Sequence, residues 1–239
     1  MNIVISQPML FPWIGMLEQV RLADCYVDYA DVQFSKGSFV NRVQVKTGAG
    51  PRWMTVPLRG LSLGQRIDEV AIDDSLPWRE NHLQLLCAAY DGAPYRGEML
   101  ALVEDVYARE YTSVSTLSLA SLMALCRYYG LDRERTFVPS SQLGIEGASS
   151  QRVLEIVLRL GGDRYITGHG ARNYLAHEIF DKAGVRVEYM DYLKVPYTQL
   201  HGEFTPYVSA LDLIANKGPD GVEYIRSGAR YWKDFLDER

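Results

Sequence analysis

The first fifteen residues constrain the fold of this chain more than any other segment. An apolar run over residues 2–6 stops at Gln7-Pro8, and a second apolar stretch begins at Leu10 and contains Pro12. Because proline fixes its own φ and restricts the residue before it, this pattern predicts a buried strand, a rigid loop and a helix that starts near Gly15. In an α/β protein such a loop lies at the carboxyl end of a strand, where N–H groups and a helix N-terminus can receive an anionic ligand.

The rest of the pattern predicts an α/β fold with a β-hairpin and a helical insertion. Predicted strands cover residues 2–6, 26–32, 165–167 and 185–189, and an alternating strand over 38–46 pairs across a turn at 47–50 with residues 52–58. Predicted helices cover residues 15–23, 78–90, 97–110, 113–129, 150–160, 173–183, 207–216 and 221–236. No repeat or linker interrupts the pattern, so we expect a single domain over residues 1–239, with a largely helical segment at about 78–130.

Charge and cysteine content narrow the class of protein. A formal net charge of −5 gives no field that would attract nucleic acid, so a phosphate-bearing ligand would need a local group of cations. Cys25, Cys87 and Cys126 are far apart and have apolar neighbours, which predicts reduced core residues and a cytoplasmic protein. No stretch approaches the ~20 apolar residues of a membrane span, and the first residues lack the basic segment of a signal peptide. We therefore expect neither membrane insertion nor export.

The first loop and the alternating strand carry groups that suit an anionic ligand. Gln7 and Trp13 would form a preformed wall, although a stiff turn that packs aromatic side chains into the core would have the same sequence. Arg42, Gln44 and Lys46 share the polar face of the strand, and the two cations lie roughly 13 Å apart, a spacing that could accommodate a diphosphate. A solvated outer strand would show the same alternation. Two further polar candidates are nearby in the sequence: Gln33 and Asn41.

Two histidines are candidates for proton transfer. His82 follows Trp78 by one helical turn, and a lone histidine among aromatics is either a packing residue or a general base. His169 lies in a small-residue loop, 168–172, which ends with Arg172 and suits a phosphate or a sugar. Ser150 begins the helix at 150–160, where its hydroxyl could bind a ligand or cap the helix.

Several familiar sites are not indicated. His177 and His201 have no partners at metal-ligand spacing, so we expect no metal centre. A nucleophile elbow, a Walker loop and a Gly-x-Gly-x-x-Gly fingerprint after the first strand are also missing from the sequence. These observations disfavour a serine hydrolase, a P-loop enzyme and a Rossmann dehydrogenase.

Taken together, these landmarks resemble the WbqC-like family, a bacterial group often encoded with genes for O-antigen and other surface polysaccharides. The similarity covers most of the chain. Many members carry a histidine before the Gln-Pro pair, where this chain has Ser6. The similarity rests on Gln7-Pro8, residues 11–15, Asp31-Val32-Gln33, Asn41-Arg42, residues 53–57, Trp78 with His82 and Tyr90, residues 150–160 and 168–172, Tyr197, Gln199, Ser209, Asp212 and Asn216.

The first segment also resembles the strand-loop-helix of nucleotidylyltransferases and class I synthetases. The resemblance implies a Rossmann-like, nucleotidylyltransferase-like core. In those enzymes paired histidines bind phosphate, whereas this chain has residues 13–16, Trp-Ile-Gly-Met, in that place. Adenylyl transfer therefore does not follow from the resemblance.

The WbqC-like resemblance implies an enzyme of bacterial surface-polysaccharide precursor synthesis. The implied reaction transfers an acyl or aminoacyl group to an amino sugar on a nucleotide-linked sugar. Arg42, Lys46 and Arg172 would hold the diphosphate, and His82 or His169 would remove a proton from the amine. The donor could be a thioester, an aminoacyl-tRNA or an acyl adenylate, and the net charge does not favour a tRNA. The oligomeric state is left open.

Two other functions agree with the same residues. The first is a non-catalytic protein that binds a sugar nucleotide or takes part in glycan assembly, for which the same aromatic and cationic residues would suffice. The second is a divergent nucleotidyltransferase that places Ser149, Ser150 and Arg152 on the phosphates. A nucleotidyltransferase would normally require Mg²⁺ to neutralise developing charge. A requirement for Mg²⁺ would therefore separate it from the acyltransferase and from the non-catalytic binding protein.

Overall fold

The computed structural model describes residues 1–237. In chain order its strands and α-helices are β1 (Asn2–Ser6), α1 (Ile14–Leu22), β2 (Cys25–Asp28), β3 (Arg42–Thr47), β4 (Gly50–Thr55), β5 (Leu58–Arg59), β6 (Ala71–Ile72), α2 (Trp78–Ala89), α3 (Arg96–Tyr107), α4 (Val114–Tyr128), β7 (Thr136–Pro139), α5 (Ser149–Arg159), β8 (Arg164–Thr167), α6 (His177–Lys182), β9 (Arg186–Tyr192), α7 (Leu211–Lys217), β10 (Ser227–Tyr231) and α8 (Trp232–Asp237).

A six-stranded sheet in the order β10-β9-β8-β1-β2-β7 forms the centre of the molecule. β10 is antiparallel to β9, and the other neighbouring strands are parallel. From β1 the chain adds β2 and β7 on one side and then β8 and β9 on the other. The strand order therefore reverses between β1 and β8, and in open α/β sheets the loops diverge at such a point and leave a crevice at the carboxyl ends of the strands.

Both faces of this sheet are buried, as expected for parallel strands. Alternate residues of β1 point to opposite faces: Ile3 and Ile5 belong to one core and Val4 to the other. The core around Val4 includes side chains of α1, α2, α3, α4 and α7, whereas the core around Ile3 includes side chains of α5 and α6 and packs against α8. The apolar run of β1 thus reflects a strand covered on both sides.

The predicted hairpin and the helical segment are confirmed. β3 and β4 pair in antiparallel register, with Arg42 opposite Thr55 and Thr47 opposite Gly50. Val43 and Val45 are buried, as the alternation predicted, but Lys46 is buried too. The helices α2, α3 and α4 follow within the segment predicted to be helical.

The prediction for the end of the chain is wrong. Residues 221–236 contain β10 and α8 in place of one helix, and β10 pairs with β9 from Ser227 opposite Tyr192 to Tyr231 opposite Glu188. Its sequence, Ser-Gly-Ala-Arg-Tyr, has weak strand propensity, so pairing with β9 decides its conformation. β9 accordingly runs to Tyr192 and is not the last strand.

Other boundaries also differ from the sequence prediction. The strand predicted at 26–32 ends at Asp28. Of the helix predicted at 173–183 only α6 is α-helical, and a 3₁₀ turn (His169–Asn173) precedes it. The helix predicted at 207–216 starts only at Leu211, and β7 at the sheet edge was not predicted. Over residues 1–237 no helix is both long and apolar enough to cross a membrane. The three cysteines are free, and Cys25 and Cys126 are buried.

Candidate ligand-binding cleft

A cleft of about 650 Å³ lies where the strand order reverses, at the carboxyl ends of β1 and β8. We call it the central cleft. Ser6 and Gln7 reach it from the end of β1, Gly168 and His169 from the end of β8, and Tyr192 from the end of β9. Its other lining residues include Met9, Trp13, Gln19, Tyr29, Phe39, Thr167, Gly170, Ala171, Tyr174, Lys194 and Tyr207.

One side of the central cleft is an aromatic wall formed by Trp13, Tyr192 and Tyr207. The Trp13 ring centroid lies 4.9 Å from that of Tyr192 and 6.1 Å from that of Tyr207. Gly15 makes this position of the indole possible, because a Cβ atom at residue 15 would lie 2.3 Å from Cη2 of Trp13. The glycine in the first turn of α1 thus lets the aromatic side chain lie against the helix.

The loop that carries Trp13 is held by buried serines. Phe11 has a φ of 34°, an unfavourable left-handed conformation for a bulky residue. Its N–H donates to Oγ of Ser121 in α4 at 2.7 Å, and Oγ of Ser209 donates to its carbonyl at 2.7 Å. These bonds from distant parts of the chain fix the loop and offset the backbone strain.

His169 lines the central cleft and has one ring nitrogen without a protein partner. Its Nε2 lies 2.6 Å from the carbonyl oxygen of Met190, and a carbonyl only accepts, so Nε2 carries the hydrogen. In the neutral ring Nδ1 is then the unprotonated nitrogen. Phe235 and Tyr192 pack beside the imidazole, with ring centroids 4.8 and 5.0 Å away. The arrangement holds an exposed imidazole in the tautomer that can accept a proton at Nδ1.

The Tyr192 ring packs beside this imidazole, and its hydroxyl is oriented from α1. Nε2 of Gln19 donates to it at 2.8 Å, which leaves its own O–H available to donate to another acceptor. Burial raises the pKa of Tyr192 above its ordinary value, so the hydroxyl stays protonated at neutral pH. A Cβ atom at Gly168 would lie 3.2 Å from the hydroxyl oxygen, so the glycine permits the close approach of β8 to this pair.

Lys194 supplies a positive charge to the central cleft. Its Nζ donates to the Tyr207 hydroxyl at 2.7 Å. Its backbone is in the left-handed region, with a φ of 50°. Arg172 is exposed in the loop after β8, next to lining residue Ala171, but it does not line the central cleft itself. The structure therefore brings Gln7, Trp13 and His169 together and leaves Arg172 near them.

The other cations and amides predicted from the sequence have different surroundings. Arg42 donates to the carbonyl of Gly37 at 2.5 Å and stacks over Trp53 at 4.2 Å. Lys46 is buried, and its Nζ donates to Oε1 of Gln199 at 3.1 Å and to the carbonyls of Gly202 and Glu203 at 3.3 and 2.5 Å. A buried ammonium with three internal acceptors is not available to a diphosphate. Asn41 donates to the Val56 carbonyl at 2.9 Å, and Gln33 forms an exposed backbone bridge with Arg66.

His82 is buried between α2 and the hairpin, away from the central cleft. Its Nδ1 lies 2.8 Å from the Tyr107 hydroxyl, and its Nε2 lies 3.0 Å from the Thr55 carbonyl. Burial lowers the pKa of His82 to about 4, and the bond to Thr55 opposes that shift. Because Tyr107 and Thr55 occupy both ring nitrogens, neither nitrogen is available to a ligand. The side chain borders a separate groove that Trp53 and Trp78 also line.

The serine and arginine at the start of α5 are committed to internal contacts. Oγ of Ser150 accepts from the N–H of Ala176 at 2.9 Å. Arg152 forms a buried ion pair with Asp31 at 2.5 Å and donates to the carbonyl of Ile145 at 3.0 Å. Although burial opposes it, hydrogen bonds from Arg152 and Ser140 lower the pKa of Asp31. These contacts tie α5 to the end of β2. Neither Ser150 nor Arg152 lines the central cleft itself, although Arg152 lies over the ring of Tyr29, which does.

Tyr192, Gln19, Lys194 and Tyr207 were not predicted from the sequence. The signal for Tyr192 was present, since residues 190–192 continue the strand predicted at 185–189 and place a tyrosine at its carboxyl end. Gln19 comes one helical turn after Gly15. Nothing in the sequence indicated its hydrogen bond to Tyr192, because that bond depends on how α1 packs on β9. Within residues 1–237, no group of three or more His, Cys, Asp or Glu side chains is arranged to hold a metal ion.

The fold and the cleft define an α/β protein with an aromatic-lined cleft at the reversal point of a mostly parallel sheet. The model of the WbqC-like protein family matches residues 7–224, and the chain belongs to this family, which confirms the resemblance seen in the sequence. The chain is also 30% identical over 228 residues to "Uncharacterized protein Rv1507c" of Mycobacterium tuberculosis (strain ATCC 25618 / H37Rv), an alignment that covers 94% of this chain and 97% of the relative. No solved structure matches.

Proposed function

We propose that this protein is a transferase of bacterial surface-polysaccharide precursor synthesis that transfers an acyl or aminoacyl group to an amino group of a nucleotide-linked sugar. The observation that carries the proposal is the packing of the His169 imidazole, with one ring nitrogen unbonded, against the Tyr192 ring, 5.0 Å between centroids, in the central cleft. Membership of the WbqC-like family supports the polysaccharide context. The three free cysteines are consistent with a cytoplasmic location, where disulfides are rare.

The central cleft suits a nucleotide-linked sugar. Rings such as Trp13 and Tyr207 can stack on a sugar or a base, and Lys194 and the nearby Arg172 can face phosphate oxygens. The parallel strands have the relative order 3-2-1-4-5, counted along the chain, which supports a Rossmann-like core. Such cores bind nucleotides at the reversal point. Arg42 and Lys46, with their internal contacts, are left out of this site.

The proposed reaction uses two polar groups, the His169 imidazole and the Tyr192 hydroxyl. Nδ1 of His169 accepts a proton from the attacking amine as the new C–N bond forms at the acyl carbonyl carbon. The Tyr192 O–H donates to the carbonyl oxygen while negative charge develops there. The bond between the acyl carbon and the donor's leaving group then breaks, and the leaving group departs with the electron pair. A thioester, an ester of tRNA and an acyl adenylate all satisfy this balance.

A non-catalytic sugar-nucleotide-binding protein is a second candidate. The aromatic wall favours it, because such a wall would bind a sugar without any need for a base. It would leave the free Nδ1 of His169 and the Tyr192 hydroxyl without a role. The two candidates therefore differ in what His169 does.

The decisive experiment mixes the protein with nucleotide-linked amino sugars and activated acyl donors and follows the mass of the sugar. His169→Gln is the test variant and His201→Gln the matched control, since Nε2 of His201 also lies 2.6 Å from a backbone carbonyl, that of Ala89, outside the central cleft. We expect His169→Gln to lower turnover by roughly 100- to 10,000-fold at unchanged affinity and His201→Gln to leave it unchanged. Sugar binding without any mass change would favour the non-catalytic candidate.

A further inference from the structure

A second, smaller pocket adjoins the central cleft. It has a volume of about 180 Å³, and we call it the side pocket. Its walls are almost wholly carbon atoms, in contrast to those of the central cleft. The two cavities share the side chains of Met9, Trp13, Phe39 and Tyr207, and Leu10 and Val43 are among the residues that complete the side pocket.

Several polar groups around the side pocket have partners within the protein. The N–H of Leu10 donates to the carbonyl of Phe39 at 3.0 Å, and the N–H of Ala210 donates to the carbonyl of Pro12 at 2.8 Å. The Tyr207 hydroxyl accepts a hydrogen bond from Lys194. These contacts explain why a loop with many backbone groups surrounds a cavity with apolar walls.

We propose that the side pocket binds the apolar acyl chain of the donor, up to about six carbon atoms. This inference rests on the proposed function, and it names the class of group that is transferred. An apolar cavity of about 150 Å³ accepts benzene, so the volume of the side pocket matches a chain of that size. A nucleobase or a sugar ring would bury N–H or O–H groups there without partners, which is unfavourable.

The position of the side pocket agrees with this assignment. Trp13 lines both cavities, and its ring lies 4.9 Å from that of Tyr192, which in turn lies 5.0 Å from that of His169. A chain that enters past Trp13 and Tyr207 has its carbonyl end on the side of the Tyr192 hydroxyl and His169. The apolar end and the reacting end of one donor would thus occupy adjoining cavities.

The test measures binding of straight-chain carboxylates, from acetate to decanoate, by calorimetry. We expect affinity to rise about fourfold for each added methylene, equivalent to ~0.8 kcal/mol, and to level off near six carbons. Val43→Phe fills the side pocket and should remove this dependence. Because Val43 is buried and its variant could misfold, Phe39→Ala provides a second test at a side chain that is 47% exposed.

Trp53→Ala is the matched control for Phe39→Ala. Its ring lies 5.9 Å from that of Phe39 and is 42% exposed, but it does not line the side pocket. We expect Phe39→Ala to weaken hexanoate binding severalfold and Trp53→Ala to leave it unchanged. Equal affinity of the wild type for acetate and hexanoate would overturn the inference. So would a Phe39→Ala variant that binds hexanoate as tightly as the wild type but binds a nucleoside monophosphate more weakly.

The two proposals can fail separately. Transfer of acetyl or aminoacyl groups at rates that do not depend on chain length would overturn the inference about the side pocket and leave the transferase in place. Binding that depends on chain length, without transfer to any sugar, would support the side pocket and count against the transferase.

Discussion

Three of the four histidines illustrate how surroundings, and not residue type, decide what a side chain can do. His82 and His169 are both adjacent to aromatic rings, and the sequence named both as candidate bases. The structure gives His82 partners on both nitrogens, whereas His169 has one backbone partner and borders the central cleft. Buried His177 has a third setting, stacked on Trp232 with its Nε2 2.8 Å from the Tyr189 hydroxyl.

His82 should make the stability of the protein depend on pH. Burial lowers its pKa from the ordinary 6.5 to about 4, so between these values the unfolded chain binds a proton that the folded protein does not. Stability therefore falls as the pH falls from about 6.5 to about 4, by up to about 3 kcal/mol. Urea unfolding of the wild type and His82→Gln at pH 4.5 and 7 measures the effect.

Comparing the pH dependence of stability in the wild type and in His82→Gln isolates the contribution of His82. Burial raises the pKa of Glu18 and of Asp28 to about 7, and these carboxyls contribute stability that is lost as the pH rises. Their contributions have the opposite sign but are present in both proteins, so they cancel in the comparison. If the wild type and His82→Gln lost the same stability on acidification, His82 would not be buried in its neutral form.

At the scale of single elements, α1 connects the sequence signal to the central cleft. The Trp13 ring occupies the space where a side chain at Gly15 would lie. We expect Gly15→Ala to displace the indole, to lower the free energy of unfolding by about 1–3 kcal/mol, and to weaken binding of a nucleotide-linked sugar. Thermal unfolding and calorimetry measure the two effects.

Gly97→Ala is the control for this substitution. Gly97 lies in α3, and a Cβ atom there would meet nothing within 4 Å, so alanine should stabilise the helix by about 0.5–1 kcal/mol. If Gly15→Ala also stabilised the protein and left binding unchanged, the aromatic wall would not depend on the close contact of Trp13 with α1.

Helix α8 should affect the reaction through one of its two aromatic side chains. Phe235 stacks on Tyr189 at 4.5 Å and contacts His169, whereas Trp232 stacks on His177. We expect alanine at either position to lower the free energy of unfolding by about 1–2 kcal/mol, since both rings are half-buried. Only Phe235→Ala should also lower turnover, by about tenfold, because it frees the imidazole from its position. Equal turnover in both variants would mean that α8 serves stability alone.

The limits of sequence reasoning are also visible in these elements. The strand, loop and helix at the start and the β3–β4 hairpin were predictable, because local patterns of apolar residues, prolines and turn residues determine them. β10 was not, since Ser227, Gly228 and Ala229 form a strand only by pairing with β9. Lys46 looked like part of a polar strand face because its acceptors lie more than 150 residues away.

At the scale of the whole molecule, strand order creates the central cleft. β1 and β8 are neighbours in the sheet although about 160 residues separate them, and their pairing brings Gln7 beside Gly168 and His169. The sequence placed each loop at a strand end, but it did not give the order of the strands. The second groove, next to His82, lies on a different part of the surface and shares no lining residue with the central cleft.

Hydrogen exchange with a bound nucleotide-linked amino sugar would show which of these two surfaces binds the ligand. At a ligand concentration of about 100 times Kd, binding stabilises the bound form by about 2.7 kcal/mol, which slows exchange up to about 100-fold wherever opening requires release of the ligand. We expect this slowing in peptides that cover the loop after β1, the loop after β8 and the end of β9, because these segments form the central cleft together. Peptides from α2 and β4 serve as the internal control and should not change. Slowing confined to α2 and β4 would move the binding site to the groove that His82 borders, and the reversal of strand order would then not determine where the ligand binds.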